Sequence, residues 1–73
     1  MTKKFKVIIW TADRRCLTEE IEEVMVYDSE EENIKRIIRS YMSSNYVILN
    51  TENGPIGVNR DYIISVKVNP IED

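Results

Sequence analysis

The chain has 73 residues, with 10 Lys or Arg, 13 Asp or Glu and a net charge of -3. A chain of this length makes one domain near the lower limit at which a single core is self-sufficient. One cysteine, Cys16, excludes an intramolecular disulfide, and the absence of histidine removes the usual ligands of a zinc site. Self-association remains as a source of stability, so we expect a single domain over residues 1–73 that forms a homodimer or a higher oligomer.

The N-terminal stretch MTKKFKVIIW is basic, but its apolar run is too short for a signal peptide and no cleavage site follows. No stretch approaches the roughly 20 apolar residues of a membrane span. A single reduced thiol is typical of a cytosolic protein. We therefore expect a complete small cytoplasmic polypeptide with no membrane contact.

Charge is distributed unevenly along the chain. Residues 1–15 carry five basic side chains against one acidic one, and residues 19–32 carry eight acidic side chains with no Lys or Arg. Two such runs attract each other within one protomer or between two; the alternative is that both are solvated faces.

The segment KFKVIIWTA alternates, with Phe5, Val7 and Ile9 on one face, which predicts a first strand. The segment EEIEEVMVYD ends in Val, Met and Tyr, so we predict a second strand over residues 20–27 that pairs with the first. A helix is the alternative, because Glu favours helices.

A helix follows. Ser29 and Glu32 have the spacing of a capping box, and glutamates in the first turn suit the helix dipole. We expect the helix to end near residues 43–45. One apolar stripe is predicted to lie on a sheet, formed by Ile34, Ile37, Ile38 and Tyr41.

The C-terminal part predicts three strands. Residues 46–51 are rich in β-forming types, and Asn53-Gly54 tolerates positive φ at both central positions of a hairpin turn. Pro55 suits an edge strand. Residues 59–61 predict a second tight turn. The last strand, YIISVKV, is expected to place Ile64, Val66 and Val68 on one face.

These elements predict an α+β fold in the order β-β-α-β-β-β. We expect a curled antiparallel sheet of four or five strands with one helix packed on it. Local spacing leaves the strand order open. It also leaves open whether Trp10, Tyr27 and Tyr62 belong to the core, an interface or a pocket.

The last third of the chain, YVILNTENGPIGVNRDYIISVKV, resembles short uncharacterised proteins of Firmicutes and their bacteriophages. Those proteins end in a strand, an Asn/Asp-Gly turn, a V-N-x-x-x-I step and a final strand. The terminal step is also similar to that of SH3-like and Sm-like small barrels. The resemblance implies a small accessory or regulatory protein of the phage-encoded type, and it carries no functional residue.

No catalytic set is visible in the sequence. Histidine, the most frequent general base, is absent. Cys16 follows Arg14 and Arg15, and neighbouring cations make a thiol more reactive, but no base accompanies it. The segment DSEEEN lacks the ligand spacing and the glycine of an EF-hand loop. We therefore predict a protein that is not an enzyme and holds no metal and no cofactor.

Two ligand hypotheses use the basic side chains. Nucleic acid is one, because cations beside an aromatic ring suit a single strand, although the negative net charge opposes it. The residues of that patch are Lys4, Lys6, Trp10, Arg14 and Arg15. A nucleotide is the other, held by arginine donors and a stacking ring. The candidate binding residues are Trp10, Arg14, Arg15, Arg60 and Tyr62.

The leading hypothesis is a small non-enzymatic binding or regulatory module that acts by protein–protein contact as a homo-oligomer. It follows from the lack of a catalytic set, from the small size and from strand edges that a partner can extend.

Overall fold

The computed structural model describes residues 1–72. It confirms the predicted α+β fold and the β-β-α-β-β-β order. In chain order the elements are β1 (Thr2–Thr11), β2 (Cys16–Val24), α1 (Glu30–Ser43), β3 (Tyr46–Thr51), β4 (Gly54–Asn59), a 3-10 turn (Arg60–Tyr62) and β5 (Ile63–Pro70).

The strands form two antiparallel sheets. β1 lies between β2 and β5 in a three-stranded sheet, and β3 and β4 form a separate hairpin. The expectation of one sheet with four or five strands is therefore too simple, and neither sheet closes into a barrel. α1 packs against β5, and the hairpin lies beside β2.

The core lies between the three-stranded sheet, the helix and the hairpin. Phe5, Val7 and Ile9 of β1 are completely buried, as the alternation predicted. Every other strand and the helix add at least one buried hydrophobic side chain. Because strand residues alternate between faces, the intervening residues of β1 lie on the opposite face of the sheet.

The second strand begins and ends earlier than predicted, at Cys16–Val24 instead of residues 20–27. The turn before it is short because Arg14 adopts a φ of 65° and the Thr11 hydroxyl accepts from the Arg15 N–H at 3.2 Å. Beyond Val24, the Asn33 side chain accepts from two backbone N–H groups of the chain. Those donors are then no longer available to a strand ladder.

The helix agrees closely with its prediction. The Ser29 hydroxyl accepts from the Glu32 N–H at 3.4 Å, and the helix ends at Ser43. Ile37 is buried, and the other three members of the predicted stripe are partly buried against the core. No helix among residues 1–72 has the length and apolar character needed to cross a membrane.

The β3–β4 turn differs by one residue from its prediction. Thr51 pairs with Gly54, so Glu52 and Asn53 are the central residues of the turn. Neither has a positive φ, whereas Gly54, which follows them, has a φ of 105°. The glycine is thus required after the turn and not within it.

Replacing Gly54 by alanine is expected to lower the free energy of unfolding by about 1–2 kcal/mol, because a Cβ is strained at positive φ. Gly57→Ala is the matched control, since Gly57 has ordinary φ and open space around it. Urea titration of both variants measures the difference. Equal stability of the two variants would show that the conformation of Gly54 is not strained for alanine.

The last strand contains an irregularity that was not predicted. Trp10 pairs with Ser65 and Thr11 pairs with Ile63, so Ile64 is an extra residue in β5. This bulge reverses the alternation, with the result that Ile63 is buried and Ile64 is 66% exposed. The prediction that Ile64 shares the face of Val66 and Val68 is wrong for this reason.

Candidate interaction site

The outward surface of the three-stranded sheet, called the open face below, is not covered by the helix or the hairpin. Its central strand carries Trp10, which is 47% exposed, at one end and Lys4 and Lys6 toward the other. Strand pairing places Cys16 beside Trp10 on β2 and Ser65 beside it on β5. The open face consists of Lys4, Lys6, Ile8, Trp10, Cys16, Thr18, Glu20, Glu22, Ser65, Lys67 and Asn69.

The open face carries two columns of opposite charge. Lys4 pairs with Glu22 and Lys6 with Glu20 in the ladder between β1 and β2. All four side chains are exposed, and none of them forms an ion pair with another residue of the described chain. Their charges are therefore available to a partner.

Charges on the other face of the same strands have intramolecular partners. Lys3 forms an ion pair with Glu30 at the start of α1. Glu23 lies 4.0 Å from the guanidinium of Arg36, which also donates to the Val24 carbonyl at 3.2 Å. Strand alternation thus separates charges that hold the helix to the sheet from charges that face solvent.

The predicted basic patch is divided by the structure. Lys4, Lys6 and Trp10 share the open face, as the nucleic-acid hypothesis requires. Arg15 lines a cavity with Thr11, whose side chain is buried on the inner face. Arg14 lies in the turn between β1 and β2, at positive φ.

Arg15 and Tyr62, two of the candidate binding residues, do line one cavity. Its volume is about 360 Å³, and Asp13 and Asn59 also contribute to its wall. Arg15 Nε donates to Asp13 Oδ2 at 2.8 Å, so the guanidinium already has an anionic partner. The Thr11 hydroxyl, which donates to Asp13, and then the charge of Arg15 lower the pKa of that carboxyl from its ordinary 3.8.

The other predicted residues lie elsewhere. Arg60 begins the 3-10 turn, and its N–H donates to the Asn45 carbonyl at 3.0 Å. Tyr27 follows Met25, whose N–H bonds to the first residue of the chain, so Tyr27 is at the opposite end of β1 from Trp10. Tyr62 lines the cavity described above. Trp10, Tyr27 and Tyr62 therefore do not form one face.

Charge counting missed one polar site. Glu19, counted in the acidic run, is only 7% exposed. Its carboxylate accepts from the Tyr41 hydroxyl and, at 3.0 Å, from the Asn50 N–H. It therefore joins β2, α1 and β3. Glu19 lies two residues from both Leu17 and Ile21, so the alternation of a strand predicts that all three side chains point toward the core.

Tyr41 has a perturbed acidity because of this site. Burial, and after it the hydrogen bond to the Glu19 carboxylate, raise the pKa of Tyr41 above its ordinary value of 10.0. The hydroxyl consequently stays protonated and able to donate to a higher pH than an ordinary tyrosine does.

Within residues 1–72, no group of three or more His, Cys, Asp or Glu side chains is arranged to hold a metal ion. Cys16 is a free, exposed thiol on the open face. No protein-family model, curated protein or solved structure matches this chain.

Proposed function

We propose that the protein is a non-enzymatic binding module that acts by protein–protein contact and assembles as a homodimer through the open face. The observation that supports this is the pair of charged columns, with Lys4 and Lys6 on β1 beside Glu22 and Glu20 on β2. Because both signs lie on one face, a second copy of that face is a complementary partner.

The symmetry of such a dimer follows from the positions of the columns. A two-fold axis parallel to the strands and midway between β1 and β2 exchanges the two columns, as an isologous interface requires. Each lysine then lies over a glutamate of the second copy. The facing pairs are Lys4 with Glu22, Lys6 with Glu20, Ile8 with Thr18 and Trp10 with Cys16.

The area of the open face sets the strength of the contact. The two-fold axis places only β1 and β2 of each copy face to face, and with strands about 4.8 Å apart and a rise of about 3.3 Å per residue these two strands overlap over roughly 300 Å² along the length of β1. Stable complexes bury about 800 Å² per partner. We therefore expect a dimer that dissociates on dilution, with a Kd in the micromolar range.

Charge reversal tests the proposal. The variant Lys4→Glu/Lys6→Glu has an acidic open face, and Glu20→Lys/Glu22→Lys has a basic one. Each variant alone is expected to be monomeric because like charges then face each other, and an equimolar mixture is expected to form a heterodimer. Sedimentation velocity reports the masses, and circular dichroism verifies folding.

Reversal of two exposed arginines that lie off the open face and have no ion pair among the described residues, Arg39→Glu/Arg60→Glu, is the matched control and is expected to leave the homodimer intact. The proposal fails if both open-face variants self-associate as strongly as the unmodified chain. It also fails if their mixture remains monomeric.

A small anionic ligand such as a nucleotide is the second candidate. It is favoured by the shared cavity of Arg15 and Tyr62, which offers a guanidinium and an aromatic ring within about 360 Å³. Asp13 opposes it by neutralising the guanidinium. Native mass spectrometry of protein purified gently from cells tests it: a retained mass that is lost in Arg15→Ala supports this candidate, and a bare chain mass contradicts it.

A further inference from the structure

The outer edge of β5 has no neighbouring strand. β5 is the last strand of the three-stranded sheet and pairs only with β1 among residues 1–72. The Ile71 N–H donates to the Lys4 carbonyl at 2.9 Å, which shows that the odd-numbered residues of this end of β5 bond to β1. In the register of the two strands these residues are Ser65, Lys67 and Asn69.

The residues between them present free backbone groups. The N–H and C=O groups of Val66 and Val68 point away from β1, and within residues 1–72 no backbone hydrogen bond uses them. The bulge at Ile64 bounds this edge on one side, and Pro70, which has no N–H, bounds it on the other. Residues 65–69 are therefore the part of the edge that an added strand can use.

The helix leaves the space beside this edge open. Arg36 of α1 donates to the Val24 carbonyl of β2 at 3.2 Å, and the Tyr41 hydroxyl donates to the Glu19 carboxylate of the same strand. β2 and β5 are two strand spacings apart, about 10 Å, with β1 between them. A helix in the plane of the sheet beyond β5 could not reach β2, so α1 packs on β5 from the inner face of the sheet. The hairpin lies beside β2, at the opposite edge.

One flank of α1 extends over the open space. Arg36 and Ser40 face β2 and β3, because Arg36 bonds to β2 and Ser40 lines a cavity with Glu19 and residues of β3. Ile38 and Met42 come two residues later, about 200° around the helix axis, and thus lie on the side of β5. Both are only partly buried against the core. The helix therefore offers apolar surface to one face of an added strand.

The other face of an added strand meets positive charge. Neither β1 nor β5 contains Asp or Glu. Lys67 is exposed on the open face, beside the edge, and has no ion pair among the described residues. Lys4 and Lys6 follow on the neighbouring strand, whereas the glutamates of the open face lie on β2, at the far edge.

We propose that the outer edge of β5 binds an extended segment of a partner protein in which Asp or Glu alternates with apolar residues, by addition of a strand. Alternation places the acidic side chains beside Lys67 and the apolar ones beneath Ile38 and Met42. The dimer proposed above overlaps only β1 and β2 and leaves this edge accessible. The two proposals are therefore independent.

Two synthetic peptides test this inference. Both are capped and as long as β5, 8 residues, with Glu alternating with Val. One is N-methylated at every Val, whose N–H groups face β5 in the proposed complex, and the other at every Glu, whose N–H groups face solvent. Their charge is the same. In a titration monitored by amide NMR, the Glu-methylated peptide is expected to shift Val66 and Val68, and the Val-methylated peptide is expected to bind about tenfold more weakly.

Two protein variants complete the test. Lys67→Glu is expected to weaken binding of the Glu-methylated peptide about fivefold, because an attractive charge becomes a repulsive one. Arg39→Glu is an equal charge change at an exposed position of α1 and is expected to leave binding unchanged.

Three results would overturn the inference. Equal affinity for the two peptides would show that charge alone explains binding. Absence of binding, or shifts confined to β2 or β4, would exclude the edge of β5 as the site. Shifts of Val66 and Val68 that depend on protein concentration without peptide would identify a second copy of the chain as the occupant.

Discussion

Asn33→Ala is expected to lower the free energy of unfolding by about 3 kcal/mol, since several backbone groups lose their partner together. Asn33 is only 1% exposed. Its Oδ1 accepts from the N–H groups of Val26 and Tyr27 at 2.9 and 3.0 Å, and its Nδ2 donates to the carbonyls of Tyr27 and Ser29 at 2.8 Å. One side chain thus provides hydrogen-bond partners for four backbone groups of the segment that connects β2 to α1.

The control for this loss is Asn45→Ala, which removes the same amide from an exposed position without a side-chain hydrogen bond among the described residues. Urea unfolding followed by circular dichroism gives both values. A domain of this size has a total stability of roughly 4–11 kcal/mol, so the loss in the Asn33 variant is expected to be between about a quarter and three quarters of the total. If Asn33→Ala lowers the free energy of unfolding no more than Asn45→Ala does, the hydrogen bonds of the Asn33 side chain do not stabilise the fold as described.

Tyr41→Phe is expected to cost about 2 kcal/mol, because the buried Glu19 carboxylate loses a hydroxyl donor. It is also expected to alter the stability at high pH. The pKa of Tyr41 is raised in the folded state, so its contribution is fully present below the unfolded value of about 10 and is lost as the pH rises above it. The phenylalanine variant lacks that alkaline loss.

Tyr46→Phe provides the comparison, because Tyr46 is 65% exposed and its hydroxyl has no hydrogen bond within residues 1–72. Denaturation at neutral pH and above pH 10 separates the two effects. If the two phenylalanine variants have equal stability at neutral pH, the hydrogen bond to Glu19 does not contribute in solution. A double-mutant cycle with Glu19→Gln then measures any remaining coupling.

The parts of the fold that were predictable depend on local patterns. The capped helix and the strand that contains Phe5, Val7 and Ile9 were predicted from residues close together in the sequence. Capping and periodicity depend on such neighbours and need no tertiary partner. The end of β2 was not predictable in this way. It depends on Asn33, which lies on the next element and takes up the donors of residues 26 and 27.

Tertiary pairing also explains the other differences. The bulge at Ile64 lies where the chain leaves the 3-10 turn and β5 begins to pair with β1. No residue type at this position is specific for a bulge, so the sequence does not predict it. The placement of Gly54 after the turn depends on the register of β3 with β4. Glu19 looked like a solvated glutamate because its two donors come from distant parts of the sequence.

The candidate site was partly predictable from alternation. Alternation correctly placed Lys4, Lys6 and Trp10 on one face, since residues two apart share a face of a strand. Alternation could not separate Arg15 from these residues, because Arg15 follows the turn and lines the cavity with Tyr62. The glutamate column on β2 became visible only when the register with β1 was known.

The most direct test of the dimer proposal is the mass of the unmodified chain in solution, measured by sedimentation velocity from low micromolar to submillimolar concentration. We expect the mass to rise from 8.6 kDa toward twice that value as the concentration increases. A mass of 8.6 kDa at every concentration would contradict assembly through the open face.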